Sequence, residues 1–117
     1  MNTSARPSRR LRLQTSVTPE QAVVHCSGRL TSEFTEEFTE ELRSLLAKCP
    51  LLVVDFTGLE YMDSSGLGAM VRVYVSARSA HRELRLINFN QRVRDLLGLT
   101  GLINIFGDCG RFMVRMP

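Results

Sequence analysis

The chain is 117 residues long, 44% hydrophobic and 23% charged, with a formal net charge of +3. That length suits one domain with a core of ordinary size, and no apolar run approaches the ~20 residues needed to span a bilayer. Three cysteines, Cys26, Cys49 and Cys109, are widely spaced and form no CxxC or Cys/His cluster, which argues against a disulfide framework or a zinc site and reads as reduced packing residues.

Residues 1–10 read as a flexible basic arm carrying Arg6, Arg9 and Arg10. No aromatics interleave it, so nucleic acid is not an expected partner. No apolar signal region precedes Leu11, and a cytoplasmic location follows as the expectation. Leu11, Leu13, Thr15 and Val17 alternate with polar residues, the period of a half-buried strand. Thr18-Pro19-Glu20 turns the chain, and Gln21 to Ser27, with Val23, Val24 and Cys26, supplies the second strand of a hairpin that Gly28 closes. Thr31 or Ser32 can cap the helix that follows. Phe34, Phe38, Leu42, Leu45 and Leu46 line one face of it; Glu33, Glu36, Glu37, Glu40 and Glu41 take most of the other, with Glu40 placed to pair with Arg43. Cys49-Pro50 ends it.

Leu51 to Phe56 is apolar apart from Asp55, as expected of a strand covered on both faces among parallel neighbours. Gly58 and Leu59 to Met62 lead into Asp63-Ser64-Ser65-Gly66-Leu67-Gly68, which opens a helix burying Leu67, Met70, Val71 and Tyr74 and exposing Arg72 and Arg78. Glu83 to Asn88 alternates as a fourth strand. Asn90 caps a short helix using Val93, Leu96 and Leu97 before the breaker Gly98, and residues 102–106 read as a fifth strand. The tail, 107–117, reads as a turn followed by an extended run. Strands alternating with helices imply an α/β domain over 11–117, a mixed sheet of about five strands with helices packed on it.

The strand-to-helix junction is where chemistry would sit. Asp63 is a good N-cap, and a plain helix start is one reading. Gly66 and Gly68 argue for more, because each costs about 1 kcal/mol relative to Ala inside a helix, and a missing side chain lets another group approach closely. A hydrolase elbow fails, since Met62 and Asp63 stand where glycine is required before Ser64 or Ser65. His25 and His81 read as surface histidines and not as bases for a nucleophile. Val71 breaks a dinucleotide fingerprint, and no Gly-Lys-Ser/Thr is present for a P-loop. The junction does suit a serine that receives phosphate: about −1.5 to −2 charges at a helix start lie close to N–H groups that tolerate anions.

Val53-Val54-Asp55-Phe56, Tyr61-Met62-Asp63-Ser64-Ser65-Gly66-Leu67-Gly68, Asn90 to Leu97 and Leu99-Thr100-Gly101-Leu102 together resemble STAS domains, in particular bacterial anti-sigma factor antagonists. The resemblance runs from about Leu11 to Phe106. It implies a binding module and not an enzyme, with no cofactor or metal. Unphosphorylated, such a protein binds an anti-sigma factor; the anti-sigma factor is also a serine kinase that phosphorylates the antagonist and so releases itself, and a serine phosphatase resets the cycle. By position the phosphoacceptor would be Ser64, with Ser65 second, and Asp63, Ser64, Ser65, Gly66, Leu67, Gly68, Leu30 and Thr31 would form the partner-binding surface. Thr31 stands where the family often has an acidic residue, and the tail from Gly107 is short where many members add a helix. The expected state is a monomer or weak homo-oligomer. The alternatives are a STAS subunit of another assembly, stressosome-like or a lipid-transport ATPase complex, and a nucleotide-binding sensor domain.

Overall fold

The computed structural model describes residues 10–100. The basic arm before Arg10, the strand expected over 102–106, Cys109 and the tail lie outside them. Four strands and three helices follow one another as β1 (Leu11–Val17), β2 (Gln21–Leu30), α1 (Thr35–Lys48), β3 (Leu51–Met62), α2 (Ser64–Ser79), β4 (Glu83–Ile87) and α3 (Gln91–Thr100). The sheet order is β1-β2-β3-β4. β1 pairs antiparallel with β2, and β2, β3 and β4 run parallel, so α1 and α2 serve as crossovers. This is the α/β architecture that alternation predicts, with four strands among the described residues.

Alternation within the strands sorts residues to two faces. Ala22, Leu52 and Leu84 lie in register across the sheet, as do Val24, Val54 and Leu86, and all six are buried. Phe38, Leu42, Leu45 and Leu46 of α1, Leu67, Ala69, Met70, Val73 and Ala77 of α2, and Val93 and Leu97 of α3 complete this core. The other face carries Val23, Val53 and Arg85 in one row and His25, Asp55 and Ile87 in the next. Among the described residues this face is half-buried and not covered by helices, which corrects the expectation for β3. Leu51 and Val53 are apolar because strand neighbours shelter them and β-branched side chains suit a pleated surface.

Several boundaries differ from those the sequence suggests. Gly28 does not end β2. Its φ of 87° is the left-handed region that glycine tolerates, and the strand shifts register beside it and continues to Leu30. β3 likewise passes through Gly58 and runs to Met62. Neither Thr31 nor Ser32 caps α1: its N-cap position is Phe34, without a side-chain cap, and the approach is a turn in which the Phe34 N–H donates to the Thr31 carbonyl at 2.9 Å. Arg43 donates to the Ser76 hydroxyl of α2 at 3.0 Å, and no Glu40–Arg43 ion pair forms among the described residues. In α2 the inward side is Leu67, Ala69, Met70, Val73 and Ala77, while Val71 and Tyr74 are half-buried. α3 continues through Gly98, where a Cβ would meet nothing within 4 Å. Cys26 and Cys49 are free and buried, as packing residues should be, and burial pushes the Cys26 thiol well up from its ordinary range.

Candidate functional site

β2 and β3 end side by side, with Leu30 opposite Met62, and the chain leaves the sheet at Asp63. The Asp63 backbone N–H donates to the Leu30 carbonyl at 3.3 Å, which extends the pairing by one bond. Its carboxylate accepts from the Gly66 N–H at 3.0 Å, and its carbonyl takes the first helical bond, from Leu67, at 3.1 Å. Asp63 is thus the N-cap of α2, as its position in the sequence predicts.

Gly66 has a specific physical reason. A Cβ at this position would overlap the Leu30 carbonyl oxygen and lie 2.9 Å from both Leu30 Cγ and Met62 Cγ. The first turn of α2 therefore sits on the ends of β2 and β3 with no space for a methyl group. Gly68 differs: its Cβ would meet only the end of Arg72, at 3.9 Å. The room at Gly66 is filled by the chain itself, while that at Gly68 faces outward.

This divides the expected contact residues into two groups. Leu30 is 0% and Leu67 2% exposed, and Gly66 is buried with them, so these three hold the junction and present no surface. Ser64 and Ser65 are exposed, and Asp63, Gly68 and Thr31 are half-buried beside them. Thr31 follows the Leu30 carbonyl on which the junction rests. Among the described residues neither serine hydroxyl is hydrogen-bonded, and His25 and His81 engage neither. A base-activated nucleophile is therefore not assembled here.

Two groupings had no signature in the sequence beyond single residues. On the open face Asp55 Oδ1 accepts from the Thr57 N–H at 2.9 Å, the Thr57 hydroxyl at 2.6 Å and Asn88 Nδ2 at 2.9 Å, while Oδ2 lies 3.1 Å from His25 Nδ1. Burial raises the affinity of Asp55 for its proton, but the Thr57 and Asn88 bonds, with His25 nearby, outweigh it and hold the carboxyl below the usual carboxylate range. The lone acid in an apolar strand was the available clue; its partners come from three different segments. At the end of the same face, Arg29 and Arg92 both stack on Tyr61, with Cζ 4.6 Å and 5.6 Å from the ring centroid. Asn90 ties α3 to this region, donating to the Leu59 carbonyl at 2.8 Å and capping the helix by accepting from Val93 at 2.9 Å.

A surface cavity of about 440 Å³ is lined by Leu13, Glu37, Glu40 and Glu41, none of them junction residues. Three carboxylates on its wall make it unsuited to a phosphate-bearing ligand. Among the described residues no His, Cys, Asp and Glu side chains group as metal ligands, and no helix is long and apolar enough to cross a membrane.

A family model described as "Mlab, STAS domain" matches residues 13–107. An anti-sigma-B factor antagonist of Listeria monocytogenes is 40% identical over 55 residues, 47% of this chain and 48% of that protein. The chain thus spans about half the length of the curated relatives it matches. Among solved structures, an anti-sigma factor antagonist from Mycobacterium paratuberculosis superposes with a TM-score of 0.72 at 19% identity, over 83% of each chain. Unphosphorylated SpoIIAA, also an anti-sigma factor antagonist, gives 0.66 at 23% identity over 80% of this chain and 82% of that one. The phosphorylated form of SpoIIAA, from Bacillus, gives 0.63 at 22% identity, over 80% and 85%. At these identities the solved structures establish the shared fold.

Proposed function

The chain belongs to the STAS domain family, and from that premise we propose that it is an anti-sigma factor antagonist switched by phosphorylation of Ser64. The observation that carries this reading is the position of Ser64: exposed, free of hydrogen bonds among the described residues, and the first residue of a helix whose start is locked to the sheet. In its unmodified form the surface of Asp63, Ser64, Ser65, Gly68 and Thr31 binds an anti-sigma factor, with Leu30, Gly66 and Leu67 fixing it from beneath. The anti-sigma factor, acting as a serine kinase, transfers phosphate to Ser64, or secondarily to Ser65. A phosphate there adds about −1.5 to −2 charges beside the Asp63 carboxylate. The unpaired N–H groups of the first turn tolerate that charge, so the fold is kept and the interface is lost. A serine phosphatase restores the binding form. On this reading the chain is a substrate and a binding module in the cytoplasm, not an enzyme. A relative named as an anti-sigma-B factor antagonist and the phosphorylated form of SpoIIAA support it.

The test is to mix the full chain with the anti-sigma kinases encoded in its genome and ATP, then map the modification by mass spectrometry. One phosphate on Ser64 is expected, and Ser64→Asp should bind the partner more than about 10-fold more weakly, since like charges at an interface cost several kcal/mol. No label on Ser64 or Ser65, together with unchanged binding by Ser64→Asp, overturns the proposal.

A further inference from the structure

We propose that Arg29, Tyr61 and Arg92 form a docking site for an acidic segment of a protein partner. Arg29 of β2 lies opposite Tyr61 of β3 in the sheet register, and Arg92 reaches the same ring from the first turn of α3. Two like charges converge on one aromatic ring. Stacking positions each guanidinium while leaving its N–H fork free at the edge, the arrangement that receives carboxylates in pairs of parallel hydrogen bonds.

No acid among the described residues satisfies them. Among the described residues neither Arg29 nor Arg92 makes an ion pair. Glu60, adjacent in β3, makes none either; the Asp63 carboxylate is taken by the Gly66 N–H, and Asp95 Oδ1 by Gln91 at 2.8 Å. Two cations held on one ring repel each other, and an external anion offsets that repulsion. Because the ring already restrains both side chains, less freedom is lost when the anion docks.

The chemistry favours a protein over a nucleic acid. The Tyr61 ring is already occupied by two guanidiniums and offers no platform for a base, and two cations make a short track for a phosphate backbone. Tyr61 precedes Ser64 by three residues, so a partner docked here lies next to the proposed phosphorylation site. The inference rests on the antagonist reading only for the partner's identity.

The full chain, labelled with ¹⁵N, is titrated with an oligoglutamate peptide, with the matching oligoglutamine peptide and with inorganic phosphate. Shift changes centred on Arg29, Tyr61 and Arg92 are expected with oligoglutamate alone, with binding about 2- to 5-fold weaker for each of R29Q and R92Q and a shallower salt dependence in the double variant. Arg92 is exposed, so R92Q should unfold at the wild-type temperature even if R29Q does not. Shifts that spread over the surface, that titrate with unchanged affinity in R92Q, or that oligoglutamine or phosphate reproduces overturn the docking site. A genome-matched anti-sigma factor that ignores the wild-type chain while oligoglutamate still maps to the two arginines overturns the antagonist reading alone. A partner bound equally well by wild type and R29Q/R92Q overturns the docking site alone.

Discussion

The helix-covered and open faces of the sheet are built from the same strands but solve different problems. On the covered face Ala22, Val24, Leu52, Val54 and Phe56 are 0% exposed, and helices meet them with aliphatic and aromatic side chains. On the open face the central feature is polar, three donors on Asp55 Oδ1 and His25 beside Oδ2. The covered face sets where α2 begins and hence where Ser64 stands. The open face joins β2, β3 and the segment before α3 through one carboxylate. The first turn of α2 repeats the contrast on a smaller scale, with Gly66 turned to the sheet and Gly68 turned outward.

The largest effect is expected at Gly66. Gly66→Ala pushes a methyl group into the Leu30 carbonyl oxygen, and overpacking at backbone should cost about 3 kcal/mol in urea unfolding. A loss below about 0.5 kcal/mol would mean that the helix start can shift away from the sheet, and the contrast between the two faces would weaken.

Asp55→Asn probes the open face and should cost about 1–2 kcal/mol at pH 7, because donors that now meet a carboxylate would lose part of their acceptor. Its pH dependence has a definite sign. The folded-state carboxyl titrates below its unfolded value, so its contribution is complete above the ordinary carboxylate pKa of about 4 and disappears as pH falls through the folded value. The gap between wild type and Asp55→Asn should therefore narrow below about pH 4. A gap that is constant from pH 7 to pH 3 would show that the network does not depend on charge.

The smallest effect has the opposite direction. Gly68→Ala should raise stability by about 0.5–1 kcal/mol, since alanine is the better helix former and its methyl group has space. Should it destabilise instead, the outer side of the turn is packed as well. Read beside Gly66→Ala, it tests whether two glycines in one motif serve opposite ends.

Much of this was legible in local sequence. The strand and helix periods placed β1, α1, β4 and α3 within a few residues, and Asp63 and Asn90 announced two N-caps because an Asx side chain before an apolar run has one obvious use. The exposure of Ser64 followed from its place in the first turn. The misplaced ends of β2, β3 and α3 share one cause. Gly28 and Gly98 read as stops and the strand from Leu51 as ending at Phe56, yet pairing with neighbouring strands carries β2 and β3 onward, and an open surface lets α3 continue, so tertiary context overrode local preference.

What the sequence alone determined is the order of elements, the family motif and the candidate acceptor, since these depend on residues adjacent in the chain. What only the tertiary structure decided is which motif residues face outward, why Gly66 must lack a side chain, and that Arg29, Tyr61 and Arg92, or His25, Asp55 and Asn88, meet at all. Those groupings are set by strand register and by helices crossing over the sheet. Residues 30 and more positions apart come together there, and nothing in the spacing of one segment records it.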